Sequence, residues 1–162
     1  MGGGTGDFAS KFDPPLTIVT TAADGRRAGC LVGYWTECSL SPARFLVCIS
    51  KVNHTFEVAA DAESIALHLI PRDSVEIARL FGSETGDDID KFAHCEWIPG
   101  PRGVPILTSC PTHAVCDILD RFDVGDHVAL LVEPVSFVIG PEEEVFTEKM
   151  ALGQQLEPGH PA

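Results

Sequence analysis

The chain has 162 residues, of which 44% are hydrophobic and 22% charged, and 24 acids against 11 lysines and arginines give it a net charge of −13. That balance excludes a disordered chain and is enough sequence for one domain with a substantial core. No apolar run approaches the roughly 20 residues a membrane-crossing helix needs, and an acidic chain with no stripe of Lys and Arg is not built to track nucleic-acid phosphates.

The opening MGGGTGDFASKF lacks a basic segment followed by an apolar one, so no export signal is expected and the expected location is the cytoplasm. Residues 1–12 read as a flexible arm, 13–141 as the folded domain and 142–162 as an acidic tail. That tail is read as disordered or as crossing onto a partner through Val145, Phe146, Met150 and Leu152.

In chain order, the apolar runs at 16–21 and 29–34 predict two strands joined by Asp24-Gly25, a pair that favours a tight hairpin turn. Small residues follow, and Ser39 to Pro42 predicts a reversal. The nearly continuous apolar run 45–50 predicts a strand buried on both faces. Residues 54–60 predict a short helix, and 65–70 a strand stopped by Pro71. Asp73 and Glu76 then form a capping-box-like start to a helix that turns Val75, Ile77, Leu80 and Phe81 inward and ends at Gly82. A polar, acidic loop is predicted over 83–90, and 97–103 is broken by Pro99, Gly100, Pro101 and Gly103. Two strands at 114–120 and 128–139, turned by Val124-Gly125-Asp126, complete the pattern. Many short strands with few helices predict an all-β barrel, and periodicity does not separate a split barrel from a Greek-key barrel.

The densest chemistry lies in residues 28–55. Backbone groups around Cys30 to Gly33 are followed by a return strand that delivers Ser50, Lys51, Asn53 and Thr55 to its end. Lys51 supplies a cation, and Asn53 or Thr55 can cap the helix whose first N–H groups favour an anion such as a phosphate. The same residues also fit an ordinary hairpin followed by an ordinary helix cap. Six cysteines, at 30, 38, 48, 95, 110 and 116, read as reduced and mostly buried thiols. The spacing Cys110-x-x-His113-x-x-Cys116 lacks the Cys-x-x-Cys knuckle of a structural zinc site, so no metal is expected.

These segments in this order resemble the flavin reductase-like family of FMN-binding split barrels. The resemblance is carried by LTIVTT at 16–21, Asp24-Gly25, AGCLVGYWTEC at 28–38, Ser39-Leu40-Ser41-Pro42, RFLVCISK at 44–51 and Asn53-His54-Thr55. Further matches are 65–70 before Pro71, Leu80-Phe81-Gly82, Asp90-Lys91-Phe92, residues 103–107 and Gly125-Asp126-His127. Together they span about residues 14–140.

The resemblance implies a mainly β, antiparallel split barrel with short peripheral helices, paired as a homodimer with flavin sites at or near the subunit interface. It implies hydride transfer from NADH or NADPH to FMN or FAD, with reduced flavin passed to a partner monooxygenase. The alternative is a flavin-binding carrier, sensor or other oxidoreductase without rapid NAD(P)H turnover. Cys30, Leu31, Val32, Gly33 and Tyr34 would line the isoalloxazine edge, and Glu37, Cys38 and Ser39 would continue that wall. Ser50, Lys51, Asn53 and Thr55 would hold the ribityl chain and phosphate. Phe81 stands where the family often places an aromatic beside the flavin, and core packing explains it equally well. His127 would lie beside the nicotinamide or flavin as the catalytic residue; as a turn histidine it would need no such role. Leu31-Val32-Gly33 departs from the hydroxyl-bearing loop common in the family, and Glu37 replaces what is commonly a small hydroxyl residue.

Overall fold

A computed structural model describes residues 5–156; the ends of the predicted arm and tail, 1–4 and 157–162, lie outside it. Seven strands form one antiparallel sheet in the order β2-β1-β5-β8-β9-β4-β3. They are β1 Thr17–Ala23, β2 Arg26–Val32, β3 Trp35–Leu40, β4 Ala43–Ser50, β5 Ser64–Leu69, β8 His113–Asp123 and β9 His127–Val138. The intervening β6 Trp97–Pro99 and β7 Pro105–Leu107 pair only with each other. The two edge strands, β2 and β3, are consecutive in the chain, so the sheet coils until its edges approach and the gap between them is the split of the barrel.

The β1–β2 turn shows why Asp-Gly stands there. Asp24 and Gly25 both have positive φ, 52° and 76°, as a two-residue turn that matches the strand twist requires. The inner face of the sheet gathers Val19, Cys30, Val32, Val47, Ile49, Ile65, Leu130 and Val132 into one core, closed at one end by α2 His54–Ala60. A second core lies on the outer face. There Leu16, Ile18 and Ile70 meet Ile77 and Phe81 of α3 Val75–Ser83, with Phe92 and Phe146. Ile18 and Val19 thus enter different cores, and β1 is apolar on both faces for that reason.

Several expectations need adjustment. Ser74, not Asp73, is the N-cap of α3, and no side chain caps it. Helix α3 continues through Gly82 to Ser83, because Gly82 serves close approach rather than termination: a Cβ there would stand 2.7 Å from Leu31 Cδ2. The stretch after β2, given no element above, forms the mostly exposed edge strand β3, too short and one-sided to show an apolar alternation. The proline-broken segment at 97–103 opens the small β6–β7 hairpin, turned at Pro101–Gly103 with Arg102 at φ 62°. Residues 5–9 form a short exposed helix, α1 Thr5–Ala9. The described part of the tail packs on its own chain: the Phe146 N–H donates to the Ile70 carbonyl at 2.7 Å, Phe146 is buried, and α4 Glu148–Gly153 follows with Thr147 as its N-cap.

A fully buried imidazole fastens the small hairpin to the sheet. His68 Nδ1–H donates to the Ile18 carbonyl at 2.9 Å, and Nε2 accepts the Leu107 N–H at 3.0 Å, which fixes the neutral tautomer. Burial lowers its pKa to about 4. The folded state therefore resists a proton that the unfolded chain accepts near pH 6.5, so His68 favours folding fully above pH 6.5, and this contribution is lost as the pH falls toward 4. Denaturant titrations are expected to show a loss of about 3 kcal/mol across that window, and His68→Gln is expected to flatten it while lowering stability at pH 7.

Gly29 marks the closest approach of the two layers. A Cβ there would sit 2.6 Å from Phe81 Cε1 and 3.0 Å from the Val19 carbonyl. Gly29→Ala is therefore expected to lower stability by about 1–3 kcal/mol, read as a lower denaturation midpoint, because neither a buried ring nor a strand backbone yields freely.

Candidate functional site

The edge strand β2 supplies the organising element. Its Gly29 carbonyl turns away from β1 and accepts the Lys91 Nζ at 3.0 Å. By the two-residue alternation of strand backbone, Leu31 presents its N–H and C=O on that same edge. Up to Gly29 the edge is covered by the turn at Lys91–Ala93 and the end of α3; beyond it the edge opens into a cleft of about 160 Å³.

Most of the residues singled out from sequence meet there. Cys30, Leu31, Val32, Gly33 and Tyr34 form one wall, and Ser50 and Asn53 lie at the end of β4 opposite. Phe81 and His127 close the sides. Phe81 is buried in the outer core, as the packing reading has it, and also lines the cleft. Cys48, Gly82 and Glu84 complete the lining and were not anticipated. Cys48 was hidden in an apolar strand, and Gly82 and Glu84 join only because α3 ends against β2.

Other sequence candidates stand outside the lining. Glu37 and Cys38 are exposed on β3, where a bulge falls between Glu37 and Ser39. Lys51 is tied to the β8–β9 turn: its Nζ pairs with Asp123 at 2.9 Å and its N–H donates to the Asp126 carbonyl at 3.0 Å. Thr55 is buried, and its N–H donates to Asn53 Oδ1 at 2.8 Å. Asn53 is therefore the cap of α2, as one of the two expected alternatives had it.

Apart from Glu84, the cleft lining is uncharged and rich in hydrogen-bonding groups. Burial raises the Cys30 thiol, opposed by Lys91 and the Thr55 hydroxyl, and burial also raises Cys48, so neither cleft thiol is a ready nucleophile. His127 Nδ1–H donates to Asp126 Oδ1 at 2.7 Å, a contact that holds the Asp126 carboxyl below its ordinary range and leaves Nε2 for a ligand. Its ring lies 5.0 Å from that of Tyr34, tilted by 56°. The Ser50 hydroxyl is buried without a hydrogen-bond partner. An unpaired buried hydroxyl is costly and calls for a ligand that bonds it. An aromatic heterocycle, apolar on its faces and rich in acceptors and donors at its rim, matches Phe81, Leu31, the free edge of β2 and Ser50 together; these residues fit a flavin.

Cys110, His113 and Cys116 do not converge. Among the described residues the group of three possible metal donors that does is His54, Glu57 and Asp87, joined by a His54 Nδ1–Asp87 contact of 3.0 Å.

Comparison with known proteins gives the same direction. The reductase subunit HsaB of a flavin-dependent monooxygenase from Rhodococcus jostii is 30% identical over 117 residues, covering 72% of this chain and 58% of the relative. The reductase subunit of stachydrine N-demethylase from Rhizobium meliloti is 28% identical over 126 residues, 76% of this chain and 54% of the relative. The chain thus spans about half the length of the curated relatives it matches. Among solved structures, the NADH:FAD oxidoreductase of Streptomyces globisporus superposes with a TM-score of 0.77 at 25% identity, covering 84% of this chain and 81% of that one. A flavin reductase domain protein from Arthrobacter gives 0.79 at 22% identity, over 89% and 90% of the two chains. Residues 9–151 match the flavin reductase-like domain, and the chain belongs to that family.

Proposed function

We propose that the protein is an NAD(P)H-dependent flavin reductase that binds FMN or FAD and hands reduced flavin to a separate monooxygenase. The observation that carries this reading is the unpartnered Ser50 hydroxyl in a cleft walled by the free edge of β2 and by Phe81. The names of relatives that are themselves reductase subunits of flavin-dependent monooxygenases support the choice of partner.

When bound, the flavin supplies the redox chemistry by accepting two electrons and a proton from the nicotinamide. The chain positions the two reactants. Leu31 meets the ring rim with backbone groups, Ser50 adds its hydroxyl, and Phe81 and Val32 give an apolar surface that excludes water. His127, held by Asp126, offers Nε2 to the nicotinamide amide or the flavin rim. Most of the rate gain comes from this proximity and orientation, so no covalent nucleophile is needed.

A cleft of about 160 Å³ is small beside the roughly 300–1,000 Å³ usual for small-molecule sites. A second copy of the chain completes it in this reading. Tyr34 stands 65% exposed at the cleft mouth, and Phe137 and Ile139 at the end of β9 are 68% and 76% exposed, an apolar surface suited to a homodimer. None of the helices among the described residues is long and apolar enough to cross a membrane.

An absorbance titration of the purified protein with FMN and FAD, followed by NADH and NADPH, tests the assignment. Bound flavin that bleaches within the turnover time is the expected result; bound flavin that persists would select the carrier or sensor alternative, and no binding would end both. Ser50→Ala is expected to raise the flavin Kd about three- to tenfold, the worth of one hydrogen bond. His127→Ala is expected to leave Kd nearly unchanged and slow reduction at least about tenfold, a difference of roughly 1.4 kcal/mol in the barrier. If Lys51 leaves Asp123 to meet a phosphate, Lys51→Ala will weaken FMN but not riboflavin; equal effects on both would remove Lys51 from the site. Sedimentation should show a dimer that Phe137→Asp splits, with flavin affinity falling in parallel.

A further inference from the structure

The cleft has a buried cation behind it that the proposed chemistry has not used. Lys91 is only 4% exposed and has no carboxylate partner at ion-pair distance among the described residues. Its Nζ donates to two carbonyl oxygens, Gly29 on β2 and Phe81 on α3, each at 3.0 Å, and lies 5.4 Å from the centroid of the Phe81 ring. The Phe81 carbonyl belongs to the last turn of α3, where helix carbonyls lack intrahelical partners and the dipole is negative. Burial pulls the ammonium below its ordinary pKa, and the nearby Cys30 and Glu84 oppose that pull; the two carbonyls replace part of the water the ammonium has lost.

One carbonyl belongs to a cleft-lining residue and the other adjoins one. Gly29 immediately precedes Cys30, and Phe81 is itself a lining residue. The ammonium therefore ties β2 to the end of α3 beside the cleft and places one positive charge against the Phe81 ring. The other lysine near the site, Lys51, is paired with Asp123 at 2.9 Å and is about one-third exposed, at 35%.

We propose that Lys91 is a positioning residue that sets the relative affinity of the site for reduced and oxidised flavin. This rests on the flavin-reductase reading above. Transfer of two electrons and one proton from the nicotinamide to a neutral oxidised ring leaves one negative charge on that ring and one positive charge on the nicotinamide. A fixed cation beside the site favours the charged form over the neutral one, its attraction passing through the apolar Phe81 ring and acting against the Glu84 carboxylate of the cleft lining. A residue that only held the fold would change both affinities equally.

The test is Lys91→Met, which preserves the length and apolar stem and removes the charge. Kd for oxidised FMN is measured by fluorescence titration in air, Kd for reduced FMN anaerobically, and the midpoint potential of the bound flavin independently. The expected result is reduced flavin weakened about tenfold more than oxidised flavin, equivalent to a potential about 30 mV lower for the two-electron couple. Equal weakening of both forms, or none, would overturn the proposal while leaving the flavin-reductase reading intact. Wild-type protein that binds no flavin would instead overturn that reading, and this inference with it. Lys91→Gln retains two N–H donors for the carbonyls without the charge, and is used if Lys91→Met does not fold. It should show the same split. Should neither variant fold, Lys91 serves the architecture alone and the proposal fails.

Discussion

The structure depends on how one strand edge is divided. β2 ends the sheet, and an edge strand presents a row of backbone groups that must be paired, covered or put to use. Lys91 and the last turn of α3 cover it as far as Gly29. The absence of a side chain at Gly29 and at Gly82 lets α3 come close enough to do so, with Phe81 laid on the first and Leu31 on the second. Beyond that point the edge is bare, and the same closeness of α3 makes Phe81 and Glu84 walls of the cleft. Fold and site are therefore set by one packing contact rather than by a scaffold with a separate loop graft.

The distribution of charge fits a ligand held mainly by neutral groups. A chain with a net charge of −13 has few cations to spare. Arg26 pairs with Asp61, Arg72 with Glu144, Arg102 with Asp117 and Lys51 with Asp123. Arg27 lies over the Trp97 ring, 4.6 Å from its centroid. Exposed pairs of this kind contribute little to stability, so they are better seen as cations already committed than as struts. Among the described residues the buried ammonium is bound to carbonyls, and the cleft is lined by strand backbone, a serine hydroxyl, an imidazole, an aromatic side chain and a single carboxylate, Glu84.

Much of this was legible in the residues. The Asp24-Gly25 hairpin, the helix beginning at His54 and the strand stopped at Pro71 follow from local rules that act over a few residues, and local rules are visible in one sequence. The cluster of Cys30 to Gly33 with Ser50, Asn53, Phe81 and His127 came from an ordered set of motifs, and the structure brings those residues to one cleft. What remained hidden depends on contacts across long separations. Lys51 and Asp123 are far apart in sequence, so nothing local says that the cation is engaged. Thr55 reads as polar, yet its burial follows from packing of α2 under Cys30. β3 has exposed, polar residues and declares itself only through its pairing with β4. His68 sits in an apolar run where nothing announces that both ring nitrogens will be satisfied by β1 and β7.

The bare stretch of β2 has a further consequence. Unpaired strand backbone accepts another strand as readily as it accepts a planar ligand, and the chain has no proline or bulge on β2 to prevent this. A planar ligand seated there would also act as a plug. A bare edge of this kind is also where a strand of a neighbouring chain can pair, so the seam that suits a planar ligand is the part of the sheet most open to edge-to-edge association.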